Sequence, residues 1–244
     1  MIKIIIHITK FLIATITALL FASCNLNMNT VEGSGNVTKE KRIVQGDFKN
    51  ISVSNAIDVV IEQSETTEIV VEADDNLQKE ITTKVENGTL VIKCKFSSFR
   101  NVTMKKVTVK MPALEKIEAS SASSVQTANV FQGENIDLES SSAATMNVNI
   151  ESDNISATSS SGSSINVQGK ALKVQTRASS GASVDAVKLL ANEVDANVSS
   201  GGSISVHPIV SLKADASSGG HIEYDTTPKT IEKQSSSGGS ISQG

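Results

Sequence analysis

Aromatic residues are scarce in this sequence, which has six Phe, one Tyr and no Trp among 244 residues. A hydrophobic core must therefore be built from aliphatic side chains, and stacking platforms for ring-shaped ligands are few. The formal net charge is only −4 and no basic stripe follows the chain, which argues against a nucleic-acid partner. A hydrophobic content of 39% is nevertheless enough for one or two small cores and excludes a disordered chain.

Cysteine occurs only twice, and Cys24 follows a segment with the features of a lipoprotein signal peptide. Residues 1–23 combine a positive start at Lys3 and Lys10 with an apolar stretch and small residues at the end. Residues 20–24 (LFASC) resemble a lipobox, so a peptidase would cut before Cys24 and acyl chains would be attached to it. An uncleaved anchor helix, or ordinary signal cleavage with an incidental cysteine, are the alternatives.

Lipidation at Cys24 predicts a protein of the cell envelope, held to the outer membrane by its acyl chains. The chain would then face either the periplasm or the cell surface. Residues 24–37 are polar, carry Gly and Ser, and show no apolar period, so we expect a flexible tether between the lipid and the folded part.

The second cysteine, Cys94, has no partner for an intrachain disulfide once Cys24 is acylated. It lies in an alternating segment in which Leu90, Ile92 and Phe96 share its face. We therefore expect a buried structural thiol rather than a nucleophile.

Residues 38–111 show the period-two alternation of β-strands, for example in the run Ile57-Asp58-Val59-Val60-Ile61. Asn87-Gly88 lies between two such runs and is a strong signal for a two-residue hairpin turn. These residues are predicted to form an irregular N-terminal β region with antiparallel or mixed pairing.

Residues 112–244 are dominated by an internal repeat of about 19 residues. One aliphatic column follows a Ser-Ser-Ala/Gly corner motif: Val125, Met146, Ile165, Val184, Ile204, Ile222 and Ile241. A second column keeps the same period: Ile117, Ile136, Ile155, Val174, Val194, Leu212 and Ile231. The offset across the corner is ten residues in every copy except the first, where it is eight, whereas the return offset from the second copy onward varies from eight to ten.

Such a repeat is satisfied when coils stack and each strand pairs in parallel with the strand one period away, about 4.8 Å along the axis. Recurrent glycines mark a sharp corner that requires positive φ: Gly162, Gly181, Gly201, Gly219 and Gly238. The corner serine hydroxyls are expected to bond to backbone groups. A second inward position is mostly small, which predicts a thin coil interior: Ala119, Leu138, Ala157, Thr176, Ala196 and Ala214. The predicted fold is all-β, a parallel β-helix or solenoid preceded by irregular strands with a hairpin.

Residues able to carry catalysis or bind metal are not arranged for it. His207 and His221 lie in separate coils, and a metal site with Glu223 or Asp225 is a weaker interpretation than exposed corner positions. The outward ladders mix charges of both signs, without clustered carboxylates or an aromatic groove. One ladder consists of Glu118, Asp137, Ser156, Gln175, Asp195 and Lys213. The neighbouring ladder consists of Ser120, Glu139, Thr158, Arg177, Asn197 and Asp215. We therefore predict no enzyme, no cofactor and no metal site, and the sequence assigns no ligand-binding residue.

Three features together resemble the head GIN domain family of auto-transporter adhesins, which is common among Bacteroidetes lipoproteins. They are the lipobox at Cys24, the entry segment 46–59 (GDFKNISVSNAIDV), and the Ser-Ser-Gly-Gly-Ser-Ile repeats at 199–204 and 236–241. The resemblance covers roughly residues 40–244. It implies a parallel β-helix fold and an adhesive function, and it assigns no catalytic residues.

The sequence leaves three functional hypotheses open. The first is a non-enzymatic envelope lipoprotein, an adhesin or binding scaffold that presents a rigid solenoid surface to a glycan or a protein. The second is a glycan-active enzyme of the β-helix type, and the third is a structural or sensory envelope component without an external ligand. The residues after Cys24 carry no acidic run of the kind seen in surface-export signals of this phylum, so both orientations stay open.

Overall fold

The computed structural model describes Lys10, Thr15 and residues 29–244. Apart from Lys10 and Thr15, the signal segment lies outside these residues, as do Cys24 and residues 25–28, and the expectations about them stay predictions. From residue 29 onward the chain consists of strands joined by turns, which confirms the all-β class. Within the described part of the chain, no helix has the length and hydropathy needed to cross a bilayer.

Residues 29–244 contain nineteen strands, of which the first nine precede the repeats. These are β1 (Thr30–Glu32), β2 (Val37–Arg42), β3 (Asn50–Val53), β4 (Asp58–Gln63), β5 (Glu68–Asp74), β6 (Ile81–Glu86), β7 (Thr89–Cys94), β8 (Ser98–Arg100) and β9 (Lys105–Met111). The repeats comprise β10 (Lys116–Ala119), β11 (Ser124–Thr127), β12 (Phe131–Ser140), β13 (Thr145–Ser159), β14 (Ser164–Ala178), β15 (Ser183–Val198), β16 (Ser203–Ala216), β17 (His221–Tyr224), β18 (Thr230–Ser235) and β19 (Ser240–Gln243).

The repeats stack as coils, each with a first segment before the Ser-rich corner and a second segment after it. The long strands β13 to β16 run through the return bend, so each supplies the second segment of one coil and the first segment of the next. Neighbouring coils pair in parallel from β10 through β19. The predicted parallel solenoid is therefore confirmed.

Two files of aliphatic side chains fill the interior of this stack. The register aligns Ile136, Ile155, Val174, Val194 and Leu212 on the first segments, and Met146, Ile165, Val184, Ile204 and Ile222 on the second segments. Each of these side chains is at most 3% exposed, whereas Gln175 is partly exposed on the outer side. The inward and outward assignments are thus confirmed, although Ile231 in the last coil of the described stack remains 44% exposed.

The alignment of the first repeat copy is wrong by two residues. Ile117 pairs with Leu138 rather than with Ile136. The corner has a fixed length, so register must be counted from it, and the eight-residue offset of the first copy marks Ile117 as the equivalent of Leu138. The outward ladder shifts in the same way, which places Glu118 beside Glu139.

Each Ser-rich corner has the geometry of a type I′ turn, with two successive residues at positive φ. Ser200 and Gly201 have φ values of 51° and 69°, and the Gly202 N–H donates to the Ser199 carbonyl at 3.0 Å. The corners are also bonded to one another, because the Gly201 N–H donates to the Ser218 carbonyl of the next coil at 3.1 Å. The positive φ predicted for the glycines is confirmed, and it extends to the residue before each of them.

Buried serine hydroxyls bond to the corner backbone, as predicted. The Ser163 hydroxyl lies 2.8 Å from the carbonyl oxygens of both Ser140 and Ser160. Register irregularities lie instead towards the return bend, between Asn166 and Gly169 and again beyond Ala186. The return side therefore accommodates the insertions that the variable offset indicated.

The stack continues across residue 112 into the N-terminal β region. Strands β3 and β4 form a further coil, because β3 pairs in parallel with β10 and β4 pairs in parallel with β11. Asn55 and Ala56 occupy the corner of this coil, with φ values of 64° and 54°. Residue 112 marks a change of sequence pattern, while the hydrophobic core runs through both parts.

Antiparallel strands cover the N-terminal end of the stack. Strand β9 pairs in parallel with β4 and antiparallel with β5, and β5 pairs antiparallel with β2. Strands β6 and β7 form a hairpin whose turn residues, Asn87 and Gly88, have φ values of 50° and 75°. The predicted hairpin and the mixed pairing of this region are both confirmed.

A buried carboxylate fastens the beginning of the described chain onto these covering strands. Asp74 is fully buried and accepts backbone N–H groups from Gly35 at 3.0 Å, Thr103 at 3.2 Å and Met104 at 3.0 Å. Strand β1 pairs in parallel with β8 in the same region. Residues 30–35 are therefore held to the folded part by β1 and by the bonds to Asp74.

Candidate functional site

Cys94 and Lys105, whose pKa values are shifted by burial, have structural roles in the N-terminal region. Cys94 is 5% exposed, and its burial raises the pKa of the thiol, so the nucleophilic thiolate is disfavoured. Burial also lowers the pKa of Lys105, whose ammonium group donates to the Ala56 carbonyl and lies 4.0 Å from the centroid of the Phe99 ring. The prediction of a buried thiol at Cys94 is confirmed.

The two histidines singled out in the sequence lie apart and have separate partners. His207 Nδ1 is 2.9 Å from Asp225 Oδ2, and His221 Nδ1 is 2.9 Å from Ser240 Oγ. Among the described residues, no group of three His, Cys, Asp or Glu side chains could hold a metal ion. The arrangement thus offers one His–carboxylate pair and no ligand set.

The outer face of the first segments carries a network of ion pairs. Lys116 Nζ lies 2.8 Å from Glu118, 3.6 Å from Asp137 and 2.9 Å from Glu139. Its hydrogen bond to Glu118 raises the pKa of the Lys116 ammonium group. The expectation that carboxylates do not cluster is therefore wrong at this point, because the misaligned first copy separated Glu118 from Glu139.

This cluster has the features of a cross-coil ion-pair network. All three carboxylates converge on one lysine, and their side chains are 36–46% exposed to solvent. Exposed pairs of this kind contribute little individually and are screened by salt. The network is therefore better suited to keeping neighbouring coils in register than to supplying a catalytic acid and base.

The outer face of the second segments differs because its polar groups are uncharged over three successive coils. We call this surface the amide groove; it has a volume of about 520 Å³. Its floor is formed by five carboxamide side chains that alternate with the inward aliphatic residues: Gln126, Asn147, Asn149, Asn166 and Gln168. Asp185 and Lys188 border it in the following coil.

Hydrogen bonds orient part of this groove. The Asn166 side-chain amide donates from Nδ2 to Asn147 Oδ1 at 2.8 Å, which joins two coils. The Asn149 backbone N–H donates to Thr127 Oγ1 at 2.9 Å. The groove was not predicted from the sequence, although the outward asparagines that follow Met146 and Ile165 are spaced 19 residues apart.

A smaller apolar surface lies at the return bend. Leu172, Leu190 and Ile209 are 52%, 42% and 44% exposed, and they line an open groove with Glu151 and Lys170. Lys170 and Glu151 form an ion pair at 3.4 Å beside it. This surface is a second exposed feature that core packing does not account for.

These features, namely a parallel solenoid with polar outer ladders, place the chain in a known class of proteins. The family model "Putative auto-transporter adhesin, head GIN domain" matches residues 47–228, so the chain belongs to this family. The resemblance inferred from the sequence is therefore confirmed. A comparison with curated proteins finds no match.

Solved structures from Bacteroidetes share the fold. A putative adhesin from Bacteroides fragilis is 21% identical, with a TM-score of 0.80 over 87% of this chain and 99% of that chain. A putative lipid binding protein from Parabacteroides distasonis is 22% identical, with a TM-score of 0.73 over 88% and 99%. A putative adhesin from Parabacteroides merdae is 22% identical, with a TM-score of 0.70 over 88% and 99%.

Proposed function

We propose that this chain is a non-enzymatic adhesin of the cell envelope, a scaffold whose solenoid surface binds a glycan or a protein. The observation that carries the proposal is the contrast between the two sides of each strand. Inward positions form aliphatic files, and outward positions display polar ladders on a backbone that is hydrogen-bonded from coil to coil. A rigid frame of this kind loses little conformational entropy on binding, which favours recognition by preformed ladders.

Membership of the adhesin family supports this proposal, as do the two structural neighbours that bear the adhesin name. The neighbour that bears the name of a lipid binding protein supports the same general role, a surface that binds a ligand. The scaffold is proposed to stand at the outer membrane, with its tether entering the fold beside β1.

The anchor is tested by changing Cys24→Ala, which removes the acylation site. The variant should leave the membrane fraction or accumulate as an unprocessed precursor, because each buried acyl methylene contributes about 0.8 kcal/mol to membrane binding. Cys94→Ala is the matched control and should stay with the membrane. Normal processing and unchanged fractionation of the Cys24 variant would rule out lipid anchoring at this residue.

Adhesion further requires that the scaffold faces outward. We expect externally added protease to cleave the chain on intact cells while a periplasmic marker stays intact. Cleavage only after the outer membrane is permeabilised would contradict adhesion and favour a structural or sensory role.

A glycan-active enzyme is the second candidate, and the carboxylates around Lys116 are the observation that favours it. Release of reducing ends from soluble polysaccharides, abolished by Glu139→Gln, would support that function over the scaffold. We expect no such release, because all three carboxylates lie on a solvent-exposed face and are ion-paired with the same lysine.

A further inference from the structure

Across three coils the second segments present neutral amides outward, whereas the outer face of the first segments carries ion pairs around Lys116 and between Lys173 and Glu193. Building on the adhesin function proposed above, we propose that the amide groove binds a neutral, hydroxyl-rich glycan. The glycan would lie along the solenoid axis, across β11, β13 and β14.

Several amide groups in the groove have hydrogen-bonding capacity that the protein itself does not use. The bond from Asn166 Nδ2 to Asn147 Oδ1 uses one donor and one acceptor, and leaves Asn147 Nδ2 and Asn166 Oδ1 without a hydrogen-bond partner among the described residues. Within residues 29–244, the side-chain amides of Gln126, Asn149 and Gln168 take part in no hydrogen bond. A ligand therefore meets several donors and acceptors carried on a backbone that is hydrogen-bonded from coil to coil.

Carboxamide groups are chemically suited to bind the hydroxyl groups of sugars. A carboxamide presents a donor and an acceptor in one plane, and adjacent sugar hydroxyls can accept from one and donate to the other. Neighbouring coils are about 4.8 Å apart along the solenoid axis. This interval is close to the advance of one sugar unit in an extended polysaccharide, so successive amides can meet successive units.

The groove lacks what other classes of partner require. Protein interfaces concentrate their binding energy in buried aromatic and Arg anchors, and none lines this groove. Nucleic acids and anionic glycans need clustered cations, whereas Lys188 is bordered by Asp185. Lipid needs apolar surface, which is exposed instead at the return bend around Leu172.

The test compares two double variants of the purified full chain, kept in a detergent without a sugar headgroup. The first removes the groove pair by Asn147→Ala with Asn166→Ala. The second removes a matched pair outside the groove by Asn135→Ala with Asn154→Ala, where the Asn154 amide donates to Asn135 Oδ1 at 2.9 Å. Binding is measured by affinity electrophoresis in gels containing dextran, xylan, galactomannan or mixed-linkage glucan, with polygalacturonate as the anionic comparison.

The unmodified chain should be retarded by at least one neutral polysaccharide and not by polygalacturonate. The groove variant should bind about ten-fold more weakly, since two hydrogen bonds contribute on the order of one factor of ten, while the control variant keeps its affinity. Equal retardation of both variants, or retardation by polygalacturonate alone, would overturn the groove assignment and leave the adhesin proposal intact. Binding of the unmodified chain to immobilised proteins but to no polysaccharide would also overturn only the groove assignment, whereas no binding to either would overturn both.

Discussion

Single residues with positive φ set the length of every Ser-rich corner. The first of the two turn positions is occupied by a non-glycine residue, such as Ser200 at φ 51°, which costs on the order of 1–2 kcal/mol relative to right-handed geometry. The contact from Gly201 to Ser218 at 3.1 Å recurs at neighbouring corners and offsets this cost. The corners are therefore a hydrogen-bonded ladder in their own right.

Gly201→Val should lower the free energy of unfolding by about 1–3 kcal/mol, because a β-branched side chain is strained at positive φ. Apart from its chain neighbours, no heavy atom lies within 4 Å of a Cβ placed at Gly201, so we attribute the cost to the backbone conformation. Gly201→Ala is the matched control and should cost less, since Ala122 and Ala143 adopt φ values of 58° and 60° at equivalent positions. Denaturant midpoints that do not distinguish Val from Ala would show that φ is not what limits this corner.

The sequence motif alone was sufficient to predict the corner glycines, because positive φ is a local requirement. Asp74 could not be predicted in the same way. Its partners are backbone N–H groups of Gly35, Thr103 and Met104, which lie 39, 29 and 30 residues away. Only the folded arrangement of the covering strands brings them to one carboxylate.

Strand β18 is the last of the first-segment strands in the described stack, and it carries a charged residue at an inward position. The register places Lys233 opposite Ala214 in an inward file, where its ammonium group lies 2.5 Å from the Tyr224 hydroxyl and 4.4 Å from that ring's centroid. Inward-pointing charges discourage edge-to-edge pairing of exposed strands. Lys233 thus protects the edge of β18, where Ile231 is 44% exposed.

Replacing Lys233→Val should expose an apolar edge and make the protein self-associate. Light scattering should show a mass that rises with concentration for this variant and not for Glu232→Val, whose side chain points outward. A mass independent of concentration for both variants, or association of both alike, would show that the charge at Lys233 does not protect this edge.

Strand positions followed from the period-two pattern, but two features of the elements did not. The return bends vary in length, so their register could not be counted from a motif. The coil formed by β3 and β4 was missed, although the eight-residue offset from Ile51 to Val59 equals that from Ile117 to Val125. That shared offset is the signal that could have joined the N-terminal region to the stack.

The whole molecule is one continuous core that uses aliphatic residues inward and leaves polar ladders outward. The repeat period determined this arrangement, because stacking places residues one period apart in the same file. The amide groove was not predicted, since outward residues carry no packing constraint that fixes their role. Its assignment depends on which outward side chains remain without partners after folding.

The file register is the central structural claim, and the adjacent residues Val174 and Gln175 test it most directly. Val174 is 3% exposed and pairs with Ile155 and Val194, whereas Gln175 faces outward from the same strand. Val174→Asp should lower the free energy of unfolding by several kcal/mol, because it buries a charge without a partner. Gln175→Asp should change it by less than about 1 kcal/mol.

Equilibrium denaturation of these two variants is the decisive measurement. We expect a large fall in the denaturant midpoint for Val174→Asp and a midpoint close to that of the unmodified chain for Gln175→Asp. Equal losses, or a larger loss for Gln175→Asp, would contradict the register and with it the parallel solenoid.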